Sequence, residues 1–206
     1  MKKALKIFLI FLAVIAVIYV VLVIIRVPYF LKEKKTQEQV VKIHNTKLTM
    51  DDVMGKNLPP DPGLEVDKTI QGIDTNKNGI RDDVELAIFK EYPNSAKTRA
   101  VLLQYALALQ MEAVQEVVDR EVVVAAVQEE DRADICVADT LVPRKTPESA
   151  REYFDIEKID AYIDFVENKQ LNTEQRKKYR TNFYEKIGSY NSLPRICDID
   201  YSLLPN

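Results

Sequence analysis

SAKTRAVLLQYALALQMEAV, residues 95–114, is the stretch on which the fold turns. Ser95 is a good N-cap, because its hydroxyl can accept from a backbone N–H of the first helical turn. From Ala100 to Val114 almost no polar face is left, with Val101, Leu102, Leu103, Tyr105, Leu107 and Leu109 pointing all round. A helix apolar on every side is a central, buried one. Its neighbours must then cover it, and the chain supplies helical segments for that purpose. Val122-Val123-Val124 is β-branched, but no turn signal separates it from the helical pattern, so helix is expected up to Pro143. Thr146-Pro147-Glu148 reads as a further helix start, followed at helical spacing by Tyr153, Ile156, Ile159, Tyr162, Ile163 and Val166. Thr173-Glu174 opens a last helix, with Tyr179, Phe183 and Ile187 on one face and Gly188 near its end. Gly is scarce and no internal repeat is present, which disfavours sandwich, barrel and solenoid folds. A mainly α helical bundle is expected.

Working outward toward the N-terminus, Lys2, Lys3 and Lys6 precede an unbroken apolar run from Ile7 to Ile25, closed by Arg26. Nineteen helical residues span about 28 Å, the thickness of a bilayer's hydrocarbon core. A cleavable signal peptide would have a shorter run and small residues at its cleavage site. Here Val-Ile-Ile-Arg-Val-Pro-Tyr-Phe follows, so an uncleaved transmembrane anchor over residues 1–30 is expected. Lys32 to Lys35 and Pro59-Pro60-Asp61-Pro62-Gly63 give residues 31–65 the character of a tether. Within it, a short helical turn is expected near Thr49, with Asp51 and Asp52 in its first turn and Gly55 ending it. A helical domain would then occupy residues 66–206.

Between tether and bundle lies Asp74-Thr75-Asn76-Lys77-Asn78-Gly79-Ile80-Arg81-Asp82-Asp83-Val84-Glu85, a full match to the twelve-residue EF-hand pattern. Calcium is a hard cation that takes six to eight oxygens in a flexible shell. Asp74, Asn76 and Asn78 would supply side-chain oxygens, Ile80 its backbone carbonyl, Asp82 a water-mediated contact and Glu85 two oxygens. Gly79 would permit the sharp turn. The loop departs from a paired EF-hand in two respects. Its eighth position, normally apolar, is Arg81, and the segment before Asp74 is short and follows prolines. No second loop exists in the chain. A solitary loop should bind Ca2+ weakly, with a dissociation constant on the order of 10⁻⁴ to 10⁻³ M, and act as a structural clasp.

The segment GIDTNKNGIRDDVE, residues 72–85, resembles the calcium repeats of thrombospondin type 3 and dockerin-like modules. The wider stretch with YPNSAKTRAVLLQYALALQ and LNTEQR resembles exported bacterial proteins that carry one such loop, over roughly residues 58–200. That resemblance implies the loop's ligands and a cell-envelope setting. It implies no activity.

Cys136 and Cys197 are the only cysteines. In an oxidising compartment they are expected to pair, closing a loop of about 60 residues worth about 4 kcal/mol in the chain-entropy model. Lys and Arg flank the apolar run almost equally, so charge leaves its orientation open. The cysteines and the loop instead place residues 27–206 outside the cytoplasm, periplasmic or extracellular. Residues 36–206 hold 22 basic and 31 acidic side chains, which argues against nucleic acid as a partner. His44 is the sole histidine, in the tether, so Ser-His-Asp and Cys-His catalysis lack a core base and zinc lacks a tetrahedral set. Arg176, Lys177, Lys178 and Arg180 read as a solvated face rather than a phosphate site, and the tyrosines as core. Two functions fit. One is a non-enzymatic envelope module that binds another protein or a wall component. The other is an envelope hydrolase using a carboxylate pair.

Overall fold

The computed structural model describes residues 2–146, 148–194, 196–201 and 204. Among them are seven α-helices and one short 3-10 helix, with no strand. Helix α1 runs from Lys2 to Asn45, passing through Pro28, whose missing N–H leaves one carbonyl of the preceding turn without its usual donor. Every side chain from Lys3 to Lys35 is exposed. This is the one helix among the described residues long and apolar enough to cross a membrane.

The second half of α1 lies in the stretch expected as a tether. Residues 31–45 continue the helix, and Thr36 and Ile43 are fully buried. Thr36, Val40 and Ile43 recur at helical spacing and form a narrow stripe against α5 (Arg120–Leu141). Thr36 Oγ1 donates to Asp119 at 2.5 Å, and His44 Nδ1 lies 2.9 Å from Glu129. Eight residues along α1 thus match ten along α5, so the two helices run in the same direction. Ten helical residues separate Arg26 from Thr36, so the domain begins about 15 Å beyond the apolar run.

Residues 46–62 are mostly exposed but are pinned by buried Leu48, Val53 and Pro59. Helix α2 (Met50–Val53) starts with a capping box between Thr49 and Asp52, and Val53 is fully buried. Gly55 follows at φ +67°. A Cβ there would stand 2.8 Å from the Phe89 ring. The 3-10 helix Gly63–Lys68 precedes the loop, and α3 (Asp82–Glu91) leaves it.

Helix α4 (Ala96–Val114) is the central helix, capped by Ser95, and it packs against α2, α3, α5, α6 (Tyr153–Gln170) and α7 (Glu174–Tyr184). Its apolar residues are buried on all sides from Ala100 to Met111. Val122 to Val124 lie within α5, which ends at Leu141 before Pro143.

The start of α6 differs from expectation. Thr146 closes a turn with Ser149, and Arg151 reaches back to the Val142 carbonyl and to Asp139, which keeps this segment out of the helix. Pro147 lies outside the described residues. The helix begins instead behind Glu152, which forms a capping box with Asp155.

The tail is held by buried Gln104, which donates to the Ile196 carbonyl and accepts from the Asp198 N–H and the Tyr201 hydroxyl. Cys136 and Cys197 stand at disulfide distance with Cα atoms 5.3 Å apart, joining α5 to this tail.

Candidate metal centre

The loop is held by groups on both sides. Before it there is no entering α-helix. Buried Arg176 of α7 takes that role, donating to the carbonyls of Val66, Thr69 and Ile70 and to the Asp67 carboxylate. Beyond it, Arg81 occupies the position that would face a partner loop, and it is fully buried. Its guanidinium donates to the carbonyls of Lys169 and Gln170 and pairs with Asp83. Those two carbonyls end α6 and have no partner within the helix, so Arg81 caps them. Gly72 lies beneath both arginines at φ +69°, where a Cβ would meet Arg81 Cδ at 2.3 Å. The basic cluster is therefore not a uniform solvated face. Arg176 and Arg180 turn inward, while Lys177 and Lys178 stay exposed.

Inside the loop the chain curls on itself. Asp74 Oδ1 accepts from the Asn78 N–H and its Oδ2 from the Gly79 N–H. Asn78 Oδ1 accepts from the Ile80 N–H, and the Ile80 side chain is buried in the core. Gly79 adopts φ +87°, and a Cβ there would stand 2.7 Å from Leu107 Cδ1. Only glycine satisfies both demands. Glu85, on the first turn of α3, accepts from Asn76 Nδ2 at 3.0 Å and Asn78 Nδ2 at 3.1 Å. The side chains of Asp74, Asn76, Asn78 and Glu85 thus come together. Asp82 stands apart from that group, since its two oxygens accept from the Thr75 N–H and hydroxyl.

The electrostatics of the loop are unbalanced. Glu85 is 1% exposed, and burial pushes its carboxyl up to about 7 against the hydrogen bonds from Asn76 and Asn78. Burial raises Asp74 as well. No basic side chain among the described residues forms an ion pair with Asp74, Asp82 or Glu85. The Asn76 and Asn78 amides turn their nitrogens to Glu85; turned about, their oxygens would join those of Asp74 and Glu85 in the kind of oxygen set that a hard divalent cation takes. Among the described residues no three His, Cys, Asp or Glu side chains are grouped as for a metal. Two of the four converging groups here are amides.

A second buried polar cluster was not read from the sequence. Arg180 lies between Glu167 at 2.8 Å, Glu130 at 2.5 Å and Glu112 at 3.6 Å. Tyr105 donates to Glu167, and Tyr184 donates to Glu130 with its hydroxyl 3.3 Å from Glu112. Burial, and then the charge of Glu130, hold the Glu112 carboxyl well above the usual range. A cavity of about 350 Å³ opens beside Glu130, with Asp134 and Asp160 in its wall. No local motif marks these residues, because they come from four different helices. Comparison with known families, curated proteins and solved structures finds no match to this chain.

Proposed function

We propose that this chain is a membrane-anchored module whose helical domain lies outside the cytoplasm, binds Ca2+ in the Asp74–Glu85 loop and engages another envelope protein or a wall component. The observation that carries the calcium reading is the pair of desolvated carboxylates, Glu85 and Asp74, that face amides and no cation. A bound cation would offset the cost of burying them. Asp74, Asn76, Asn78 and Glu85 would hold it with side-chain oxygens, Ile80 with its carbonyl and Asp82 through a water. The ion would join the Arg176-strapped segment to α3 and so brace the face of α4 beneath it. The extracytoplasmic setting is supported by the cysteine pair at disulfide distance and by a loop suited to high calcium.

Thermal melts of the full chain in detergent, with 10 mM calcium and with chelator, test the calcium reading. Calcium is expected to raise the melting temperature, and equal melts would refute it.

The carboxylate-pair hydrolase draws support from one feature, the cavity beside Glu130, Asp134 and Asp160. Against it, Glu130 is clamped by Arg180 and Tyr184. Hydrolysis of wall polymers that is lost in Asp134→Asn, at unchanged melting temperature, would establish that activity.

A further inference from the structure

Helices α1 and α5 run in the same direction, so the start of α5 faces the bilayer that the apolar run of α1 would enter. Between the two helices lies a cavity of about 410 Å³, lined by Tyr29, Lys32 and Glu33 of α1 and by Asp119, Arg120 and Glu121 at the start of α5. Its depth follows from the helix rise. Tyr29 stands about 6 Å beyond Ile25 along the axis, and Lys32 about 10 Å. The headgroup layer on each side of the hydrocarbon core is about 5–8 Å thick. Side chains on a helix lean toward its N-terminus, here toward the bilayer, which brings Lys32 and Glu33 back to that layer.

The charges lining the cavity are mixed and mostly unmatched. Lys32, Arg120 and Glu121 form no ion pair among the described residues. Glu33 accepts from Gln37 at 3.3 Å. Asp119 is committed, one oxygen to the Thr36 hydroxyl and the other to the Glu121 N–H. The Arg120 stem is seated against the turn that follows α7, since a Cβ on Gly188 would stand 2.7 Å from Arg120 Cδ. Three carboxylates disfavour a simple anion here, and two cations disfavour a simple cation. A zwitterion meets both. At headgroup depth such a group is at hand, a phosphate ester joined through two carbons to an ammonium.

We propose that this cavity binds the headgroup of a phosphatidylethanolamine lipid, with its phosphate between Lys32 and Arg120 and its ammonium donating to Glu33 and Glu121. Tyr29, an aromatic at the interface, adds a hydroxyl on the phosphate side. The lipid bridges α1 and the start of α5 and so sets how the domain stands on the bilayer. The inference rests on the membrane-anchored reading and is independent of calcium.

The test is native mass spectrometry of the full chain in dodecyl maltoside, titrated in turn with dihexanoyl phosphatidylethanolamine, phosphatidylcholine and phosphatidylglycerol. One ethanolamine lipid per chain is expected, bound about tenfold tighter than the other two, because only it offers both a phosphate and ammonium N–H donors. Lys32→Gln and Arg120→Gln should each weaken it several-fold. Glu33→Gln should bring the ethanolamine lipid down toward the affinity of the choline lipid. Lys34→Gln, which pairs with Glu38 and does not line the cavity, should change nothing. These side chains are exposed, so the melting temperature should hold in every variant. Equal binding of the three lipids would overturn the proposal. So would tightest binding of the glycerol lipid, or a preference that none of the three cavity substitutions alters. The intact mass of the chain from native envelopes separates the two readings. Full length with equal lipid binding would overturn this inference and leave the anchor standing. A mature N-terminus after residue 20 would overturn the anchor, and this inference with it.

Discussion

Where α4, α5, α6 and α7 meet, three glutamates share one arginine, whereas in the Asp74–Glu85 loop Glu85 and Asp74 share none. Both regions bury carboxylates against the same central helix. In the first, Arg180 and two tyrosines supply the counter-charge and donors from within the chain. In the second, only neutral amides do so, and the nearest arginine, Arg81, is committed to Asp83 and the end of α6. The chain pairs buried acids internally at one site and leaves them unpaired at the other, and the calcium proposal is that the second takes its cation from outside.

That contrast can be broken from either side. The largest effect is expected from Arg180→Met, which leaves Glu112, Glu130 and Glu167 without their cation. Removing one partner of a buried ion pair costs about 3–5 kcal/mol. Tyr184 and the neutral form of Glu112 soften this, so a loss near 3 kcal/mol is expected, or about 6–12 °C in a thermal melt. The loss should be the same with and without calcium.

Next is calcium itself. With a dissociation constant on the order of 10⁻⁴ to 10⁻³ M, 10 mM calcium stabilises the folded state by about 1.4–2.7 kcal/mol. Differential scanning calorimetry should show a rise of about 3–10 °C over the chelated chain.

An effect of similar size follows from pH. In the calcium-free chain Glu85 titrates at about 7, against 4.5 when unfolded. The folded state therefore holds its proton more tightly, and stability falls as pH rises from about 4.5 to about 7. Asp74, also raised by burial, acts in the same direction. Urea midpoints at pH 5 and pH 8 should differ in this sense, and Glu85→Gln should reduce the difference.

The smallest effect is expected from Thr75→Val. Thr75 is no ligand in the loop pattern, yet its hydroxyl donates to Asp82 at 2.6 Å. Losing that charge-assisted bond should cost about 1.5 kcal/mol and weaken calcium binding modestly in a titration.

Much of the bundle was legible because local rules decided it. Ser95, Thr173 and Thr49 all cap the helices expected of them, and the all-round apolar pattern of α4 required a central position. Cys136 and Cys197 could be paired because they were the only two. The loop's order was legible down to Gly79, whose φ the pattern demands.

What was hidden depended on long-range partners. Thr36, Val40 and Ile43 sit among Lys, Glu and Gln, so the stripe that packs residues 31–45 onto α5 looked like tether. Thr146 had good capping chemistry, but Arg151 and Asp139 hold its segment in another conformation. Arg176 and Arg180 share a charge run with two exposed lysines, and nothing local tells the inward pair from the outward one. Arg81 was the one long-range feature with a local signal, a charge where the loop pattern expects an apolar residue. Its target, the end of α6, lies some ninety residues away in sequence.

The central claim is that the Asp74–Glu85 loop leaves its buried charge for calcium. Its most direct test is a calcium titration by isothermal calorimetry of the full chain beside Glu85→Gln, in detergent at pH 7.5. The expected result is one site per wild-type chain, saturating near millimolar calcium, and no measurable site in Glu85→Gln, which remains folded with its melting temperature kept or raised. Absence of binding by the wild-type chain, or equal binding by both, would contradict it.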